Sequence, residues 1–252
     1  RTQNEVELMR FLIIRHAEPY YPTDSLTEKG VREAELLSRR LVNEHIDYAY
    51  VSPHGRAKMT AEPTLRKTGL KASELEWLRE FPLGLKMSFH TKFNDDDHCA
   101  WNMPPESWVN IPDIFDPVKW RDADIYKGTG IVERYDMVCS EFDKLIASHG
   151  FVNAGHYFKV KDGYEDSRQT IALFCHMGLG NLLLSHILGV SLPAVWHTMF
   201  LPTSSVTTIF MEQHLEDGKI AKARIFQAGD TSHLLAGGEP VSPSGLHSYT
   251  IY

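Results

Sequence analysis

Apolar residues along the chain occur in short uninterrupted runs that alternate with segments of helical periodicity. Residues 11–14 and Thr170–Cys175 are the clearest of these runs. A short continuous apolar run is typical of a strand buried on both faces, as in a parallel sheet. Residues 48–52 and 75–78 predict two further strands. Strands that alternate with helices favour an α/β fold, with three α/β/α layers and a mostly parallel central sheet.

Helix start and stop signals flank the periodic segments of the first 70 residues. Thr27 can cap a helix that begins at Glu28. Pro53 can take the first position of the next helix, because its missing N–H is not needed there. We expect that helix to bend near Pro63 and to end at Gly69.

Regular patterns return in the second half of the chain. Residues 131–148 predict a long helix. Residues 157–160 and Thr170–Cys175 are interpreted as strands around an Asp-Gly turn. Residues 206–211 and 220–226 predict a final hairpin around a second Asp-Gly pair.

Residues 81 to about 128 have a different character from the rest of the chain. They hold five of the 13 prolines and show no periodicity. The stretch is too long for a plain connection, so we expect an insertion over the rim formed by the carboxyl ends of the strands. Trp101, Trp108 and Trp120 either line a substrate pocket there or form the insertion's own small core. Residues 1–252 otherwise predict a single domain.

Composition and charge narrow the function classes. The net charge is −7, from 26 basic and 33 acidic residues, whereas a nucleic-acid binder is usually basic. Residues 1–10 lack the apolar core of a signal peptide, and residues 179–200 are interrupted by histidines and a proline. We therefore expect a cytoplasmic protein with neither a nucleic-acid nor a membrane partner. The three cysteines form no CxxC pair and predict free thiols: Cys99, Cys139 and Cys175.

Residues able to perform phosphoryl chemistry follow the predicted strands. Arg15 and His16 come directly after the first strand, and Arg56, Glu80 and His176 follow the second, the third and the 170–175 strand. In open α/β sheets ligands bind at the carboxyl ends of the strands. A guanidinium matches phosphate oxygens, and an imidazole can attack phosphorus to form a covalent intermediate. If the strands are parallel, all these side chains converge on one rim.

With these residues in place, the sequence resembles the histidine phosphatase superfamily, also called the phosphoglycerate mutase-like family. The resemblance spans about residues 10–235. It departs from the family's pattern at Ala17, which stands in place of glycine, and at Met177, which is interposed between histidine and glycine. The motifs stand in the family's order: 15–18 (Arg-His-Ala-Glu), 26–30 (Leu-Thr-Glu-Lys-Gly), 52–57 (Ser-Pro-His-Gly-Arg-Ala), 60–61 (Thr-Ala), 78–80 (Leu-Arg-Glu) and 176–178 (His-Met-Gly).

The resemblance implies a role for each matching residue. His16 is the nucleophile that becomes phosphohistidine, and Arg15 and Arg56 bind the phosphoryl oxygens. His176 completes the phosphate pocket and stabilises the transition state, and Glu80 is the general acid. Fixed cationic donors suit a group whose charge spreads over three oxygens, so neither a metal nor an organic cofactor is expected.

Three functions are compatible with this set of residues. The first is a phosphomonoesterase that hydrolyses a small phosphorylated metabolite. The second is a cofactor-dependent mutase-type isomerase, and the third is an inactive phosphate-binding module. All the motif residues are present, which disfavours the third. The extra segments of the mutases are absent, and residues 229–234 resemble the ending of the family's bacterial phosphatases. The phosphatase branch is therefore favoured, with oligomeric state left open.

Other candidate residues have simpler interpretations. His149 imitates the family's His-Gly pair but stands at a predicted helix end, where a histidine is favoured structurally. Residues 95–98 hold three acids and a histidine and are interpreted as a solvated turn rather than a metal site. Glu18 is expected to support the first motif, and His233 to be structural. His54 faces either phosphate or solvent.

Overall fold

The fold is an α/β domain, seen in a computed structural model that describes residues 8–81, 100–101, 103, 105–165, 167–213 and 219–246. The strands are β1 (Arg10–Arg15), β2 (Pro19–Tyr20), β3 (Ser25–Leu26), β4 (Tyr48–Val51), β5 (Ala72–Glu74), β6 (Phe151–Asn153), β7 (Phe158–Val160), β8 (Thr170–Cys175), β9 (Val206–Gln213) and β10 (Ile220–Asp230). The α-helices are α1 (Glu28–Leu41), α2 (Gly55–Thr68), α3 (Ile131–Ser148), α4 (Met177–Leu188), α5 (Leu192–Thr198) and α6 (Ser232–Ala236). The 95–98 run, Cys99 and the turn near residue 217 lie outside the described residues.

One sheet organises the domain. Its strand order is β5-β4-β8-β1-β9-β10-β7-β6. The strands from β5 to β1 are parallel, whereas β9, β10, β7 and β6 pair antiparallel to their neighbours. The predicted α/β fold is confirmed, and the strands that lead into the site are the parallel ones. β2 and β3 form a separate small hairpin.

The uninterrupted apolar run in β1 is explained by burial on both faces. Phe11 and Ile13 belong to one hydrophobic core, and Leu12 and Ile14 to the other. Successive side chains of a strand point to opposite faces, so this alternation places β1 between two layers. The first core is built with α3 and α4, and the second with α1 and α2.

The helix signals are confirmed at most ends. The Thr27 side chain accepts a hydrogen bond from the Gly30 N–H at 3.0 Å, as a capping residue should. Gly69 ends α2 in the left-handed conformation with φ of 74°. The prediction for Pro53 was wrong, because α2 begins at Gly55 and His54 is its N-cap.

One predicted strand was misplaced, and one predicted pairing of two correctly placed strands was wrong. The third strand is β5, and the apolar residues placed in it instead form a 3₁₀ turn at Glu76–Leu78. β7 does not pair with β8: it pairs with β6 and β10 near the far edge, while β8 lies between β4 and β1. The residues of a turn indicate that the chain reverses there, but they do not indicate which strands become hydrogen-bonded neighbours in the sheet. The hairpin of β9 and β10 is confirmed.

The tryptophans of the 81–128 stretch are buried in the core shared with α3 and α4 rather than in a separate small core. Trp120 lies edge-on to Tyr126 and Tyr135, and Trp108 stacks on His197. Trp101 packs where α4 begins. That the whole chain forms one domain stays a prediction.

The described cysteines, Cys139 and Cys175, are buried free thiols. Within the described ranges, no helix combines the length and apolarity that a membrane crossing requires.

Candidate active site

Three neighbouring parallel strands end at one rim and position the residues that follow them there. Arg15 ends β1 and His16 follows it, Ser52 follows β4, and His176 follows β8. β4, β8 and β1 are adjacent and parallel, so their carboxyl ends meet at the same edge. The ring centroids of His16 and His176 are 5.2 Å apart. The expected convergence of these side chains is therefore present in the structure.

His16 has one free ring nitrogen. Its Nδ1 lies 2.8 Å from the carbonyl oxygen of Ala17. A carbonyl only accepts hydrogen bonds, so Nδ1 carries the proton and Nε2 keeps its lone pair. Burial lowers the pKa of His16 well below its ordinary value, and Arg15 and Arg56 lower it further. The ring is neutral at neutral pH, with Nε2 available as a nucleophile.

The backbone after His16 is held from two sides. The Ala17 N–H donates to Thr60 Oγ1 at 2.9 Å, and the Ser204 N–H donates to the His16 carbonyl at 3.1 Å. Ser204 Oγ in turn lies 3.1 Å from His233 Nε2. Burial lowers the pKa of His233 to about 4, so this histidine is neutral. His233 thus contacts a residue that supports His16, in line with its expected structural role.

Arg15 is fixed by carbonyl oxygens on one edge of its guanidinium. Nη1 donates to the Leu201 carbonyl at 2.6 Å, and Nη2 donates to the Ser244 carbonyl at 2.9 Å. The guanidinium also lies 5.6 Å from the centre of the Phe200 ring. Its Nε is buried and has no hydrogen-bond partner among the residues that the structure describes. The Nε–H of Arg15 is thus available to a ligand.

Arg56 shows the same pattern. It lies in the first turn of α2, and its Nη1 donates to the Asp24 carboxylate. The Tyr21 ring centre is 5.5 Å from the guanidinium carbon. The Nε of Arg56 is buried and, among the described residues, has no hydrogen-bond partner.

His176 is the third such group. Its Nε2 is 2.8 Å from Ser52 Oγ, and its Nδ1 is buried with no partner in the described ranges. Burial lowers the pKa of His176 well below the ordinary value, and the nearby His16 and Arg56 act in the same direction. When the Ser52 hydroxyl donates to Nε2, Nδ1 carries the ring proton and can donate to an anion.

Glu80 lies at the amino end of α4 and not at the end of a strand. Its carboxylate accepts hydrogen bonds from the N–H groups of Gly178 and Leu179 at 2.9 Å and of Phe81 at 3.0 Å. Burial raises the pKa of Glu80, while the Gly178 N–H opposes that rise. Glu80 therefore both caps α4 and holds its proton more readily than an ordinary carboxyl group does.

The glycine after the interposed Met177 is required by crowding. A Cβ on Gly178 would lie 2.5 Å from the Trp101 ring and 2.8 Å from Glu80 Oε1. Met177 itself places its sulfur 3.6 Å from Arg15 Nη1. The departure from the family's His-Gly pair is accommodated, because Met177 becomes the first residue of α4.

Together these groups can hold a tetrahedral anion against a nucleophile. Near His16, the Nε groups of two guanidiniums and one ring nitrogen are buried and lack partners among the residues with a described structure. Buried polar groups without partners are costly. An anion with several oxygens would satisfy them. Among the described residues, no group of three or more His, Cys, Asp or Glu side chains is placed to hold a metal ion.

Sequence reasoning missed several groups that hold the site. Ser52 stood in a quoted motif without a role, although its hydroxyl contacts His176. The carbonyls of Leu201 and Ser244 could not be found from side-chain patterns. Asp24, which binds Arg56, carried only the weak signal of lying just before the Leu-Thr helix start.

Of the remaining candidates, His149 and Glu18 lie outside this group of residues, whereas His54 contacts it. His149 is near the amino ends of β4 and β8, on the opposite side of the sheet from the rim, with both ring nitrogens paired. Glu18 accepts hydrogen bonds from the hydroxyls of Thr27 and Ser242. His54 does contact the site, with its ring 5.0 Å from that of His176.

Comparison with known proteins agrees with this geometry. Residues 11–114 match the model of the histidine phosphatase superfamily (branch 1). A phosphoserine phosphatase mutant from Entamoeba histolytica, solved with phosphoserine, superposes with a TM-score of 0.57 at 17% identity, over 90% of this chain and 100% of that one. A mycobacterial glucosyl-3-phosphoglycerate phosphatase gives a TM-score of 0.55 at 19% identity, over 87% of this chain and 98% of that one. A search of the curated proteins found no match.

The family resemblance is therefore confirmed. Residues 11–114 carry the sequence pattern of the histidine phosphatase superfamily, and about nine tenths of the chain shares the fold of solved phosphatases. The solved structures share too little sequence identity to show more than that fold.

Proposed function

We propose that the protein is a phosphomonoesterase that hydrolyses a small phosphorylated metabolite through a phosphohistidine at His16. The observation that carries the proposal is the set of buried nitrogens on Arg15, Arg56 and His176 that lack partners within the described part of the chain, beside a neutral His16. Such a set is complementary to the equatorial oxygens of a transferring phosphoryl group. The names of the similar structures, a phosphoserine phosphatase and a glucosyl-3-phosphoglycerate phosphatase, support the same class.

In the first step Nε2 of His16 attacks phosphorus. The N–P bond forms as the P–O bond to the leaving group breaks, and the leaving oxygen takes a proton from Glu80. Arg15, Arg56 and His176 bind the three remaining oxygens throughout the transfer. Because this charge is met by protein N–H donors, the proposed reaction needs no metal ion.

In the second step water attacks the phosphohistidine. The N–P bond breaks, His16 recovers its lone pair, and the carboxylate of Glu80 takes the proton released by water. The enzyme returns to its starting state with orthophosphate in the pocket. A mutase would instead exclude water and hold a second hydroxyl in line with phosphorus.

A labelling experiment tests the intermediate. The protein is mixed for milliseconds to seconds with a ³²P-labelled phosphomonoester and quenched in alkali. We expect a label that is stable in alkali and labile in acid, and we expect it to be lost from His16→Ala together with turnover. Label that persists in His16→Ala would falsify the assignment.

The same labelled enzyme distinguishes the phosphatase from the mutase. We expect it to discharge orthophosphate to water within the time of one turnover. With 3-phosphoglycerate, orthophosphate should be the product, with little 2-phosphoglycerate. A long-lived phosphoenzyme, together with 2-phosphoglycerate formed after a trace of bisphosphoglycerate is added, would establish the mutase instead. A panel of sugar phosphates, phosphoglycerates, nucleotides and phosphopeptides then defines the substrate class.

A further inference from the structure

Asp24 belongs to the small β2–β3 hairpin, which packs against the amino end of α2. The residue adopts the left-handed conformation, with φ of 48° and ψ of 44°, and its N–H donates to the Tyr21 carbonyl at 3.1 Å. Aspartate is among the few residues that tolerate this conformation. The turn directs the Asp24 carboxylate toward α2.

The carboxylate receives three donors from consecutive residues. Oδ2 accepts from the Gly55 N–H at 2.6 Å and from His54 Nδ1 at 3.3 Å, and Oδ1 accepts from Arg56 Nη1. The approach depends on Gly55, because a Cβ there would collide with the Asp24 carbonyl oxygen. His54 provides no side-chain cap for α2, so Asp24 caps the helix from a neighbouring element.

These contacts determine which edge of Arg56 faces the site. A guanidinium is planar, so fixing Nη1 on a carboxylate and one face against an aromatic ring fixes the direction of the Nε edge. Here the carboxylate is Asp24 and the ring is Tyr21, 5.5 Å away. The edge left over carries the buried Nε without a protein partner.

The charge of Asp24 is retained at the pH of the expected reaction. Partial burial acts to raise the pKa of Asp24, but the Gly55 N–H and the Arg56 guanidinium outweigh it, and the net pKa lies below the ordinary value. Asp24 also opposes the lowering of the pKa of His16. Its carboxylate therefore balances part of the positive charge around the nucleophile.

We propose that Asp24 is a positioning residue that orients Arg56 for phosphoryl binding without touching the substrate. The inference rests on the proposed function, because it assigns Arg56 to the phosphoryl group. It predicts that the contribution of Asp24 passes through Arg56 and disappears when Arg56 is absent.

A double-mutant cycle tests this dependence. Asp24→Ala, Arg56→Ala and the double variant are compared by kcat/KM for p-nitrophenyl phosphate and by the affinity for orthovanadate, measured calorimetrically. We expect Asp24→Ala to lower both quantities about 10- to 100-fold in the wild-type background and less than about 3-fold in the Arg56→Ala background. Equal losses in the two backgrounds would overturn the inference.

Two further variants separate positioning from stability. Ser25→Ala alters the same hairpin at a hydroxyl whose hydrogen-bond partner among the described residues is Thr23, and it should leave both readouts unchanged. Asp24→Asn keeps an acceptor for the Gly55 N–H and loses the charge, so it should fold if Asp24→Ala does not. Its losses should again depend on Arg56. If Asp24→Asn lowers only the melting temperature, Asp24 is a helix cap alone and the inference fails.

The vanadate measurement distinguishes this failure from failure of the proposed function. If the wild-type protein binds vanadate with the expected dependence on Asp24 and Arg56 but shows neither turnover nor label, the positioning role stands and the phosphatase proposal fails. If turnover is present and the two substitutions act additively, the phosphatase stands and the positioning role fails. Absence of both vanadate binding and turnover in the wild type would overturn both.

Discussion

Two histidines at opposite ends of the same strands show how partners determine chemistry. At the amino ends of β4 and β8, His149 has both ring nitrogens paired, Nε2 with the Tyr50 hydroxyl and Nδ1 with Gln169 Oε1, each at 2.9 Å. At the carboxyl ends, Nε2 of His176 pairs with the Ser52 hydroxyl, and the buried Nδ1 has no partner in the part of the chain that the structure describes.

The difference distinguishes a structural histidine from a ligand-binding one. Both are buried, and burial lowers the pKa of both. Neither burial nor neutrality therefore separates them. What separates this pair is that the second nitrogen of His149 is satisfied by the protein, whereas that of His176 lacks a partner among the described residues and lies beside His16. An unsatisfied buried nitrogen is costly, and a ligand at that position would repay the cost.

The largest effect is expected when this pair of histidines is substituted in turn. His176→Ala should lower kcat/KM about 10³-fold, because a donor to the transferring group is lost. His149→Ala should change kcat/KM less than about 2-fold, but it should lower the unfolding free energy by about 1–3 kcal/mol, because the Tyr50 hydroxyl loses its partner. Steady-state kinetics and urea unfolding of both variants measure this. Comparable kinetic losses would show that the comparison is mistaken.

How far the sequence predicted this site depended on the length of its elements. The six-residue strands β1 and β8 have continuous apolar runs, so Arg15, His16 and His176 could be placed at a common rim. β5 has three residues, too few to show a period, so the sequence pattern misplaced this strand. Glu80 follows a 3₁₀ turn rather than a strand.

Partners distant in sequence could not be predicted at all. Asp24 and Arg56 are separated by 32 positions, and Arg15 and Ser244 by 229. No local periodicity links such pairs, because their meeting depends on how whole elements pack. The motif order of the family indicated the candidate reacting residues, but it carried no information on what holds them.

Glu80 differs from both histidines in its hydrogen-bond partners, which among the described residues are backbone N–H groups. Glu80→Gln cannot donate an acidic proton, so we expect kcat/KM to fall about 10²-fold for alkyl phosphates. For p-nitrophenyl phosphate the loss should be below about 5-fold, because nitrophenolate leaves without protonation. Rates for a series of leaving groups of graded pKa measure the difference. Equal losses across the series would remove Glu80 from the role of acid.

A smaller effect concerns stability against acid. Burial lowers the pKa of His197 and His233 from 6.5 to about 4, and it lowers those of His16 and His176 in the same direction. Below pH 6.5 the unfolded chain binds protons that the folded protein does not, so folding loses free energy as the pH falls. The loss between pH 6.5 and 5.5 should be roughly 1 kcal/mol for each such histidine.

Urea unfolding at the two pH values measures this loss. His233→Gln should reduce the difference by the share of one histidine. His186 should contribute less and with the opposite sign. Burial acts to lower its pKa, but the hydrogen bond with Asp143 and other contacts outweigh burial and raise it to about 10. The folded ring is protonated throughout this window, whereas the unfolded ring is half protonated at pH 6.5, so His186 should stabilise the fold by roughly 0.3 kcal/mol as the pH falls to 5.5. A stability that is flat from pH 6.5 to 5.5 would contradict the assignment of neutral buried histidines.

The smallest expected effect is that of a chelator. If the nitrogens without partners on Arg15, Arg56 and His176 meet the phosphoryl charge, removing divalent cations should change kcat/KM by less than about 2-fold. The measurement is turnover after dialysis against EDTA, with and without added Mg²⁺ or Zn²⁺. If dialysis lowers turnover and either ion restores it, a metal ion rather than these nitrogens neutralises the phosphoryl charge. The acidic run at 95–98 would then be the first candidate for the metal site. The contrast between His149 and His176 would lie in their access to a metal rather than in their hydrogen-bond partners.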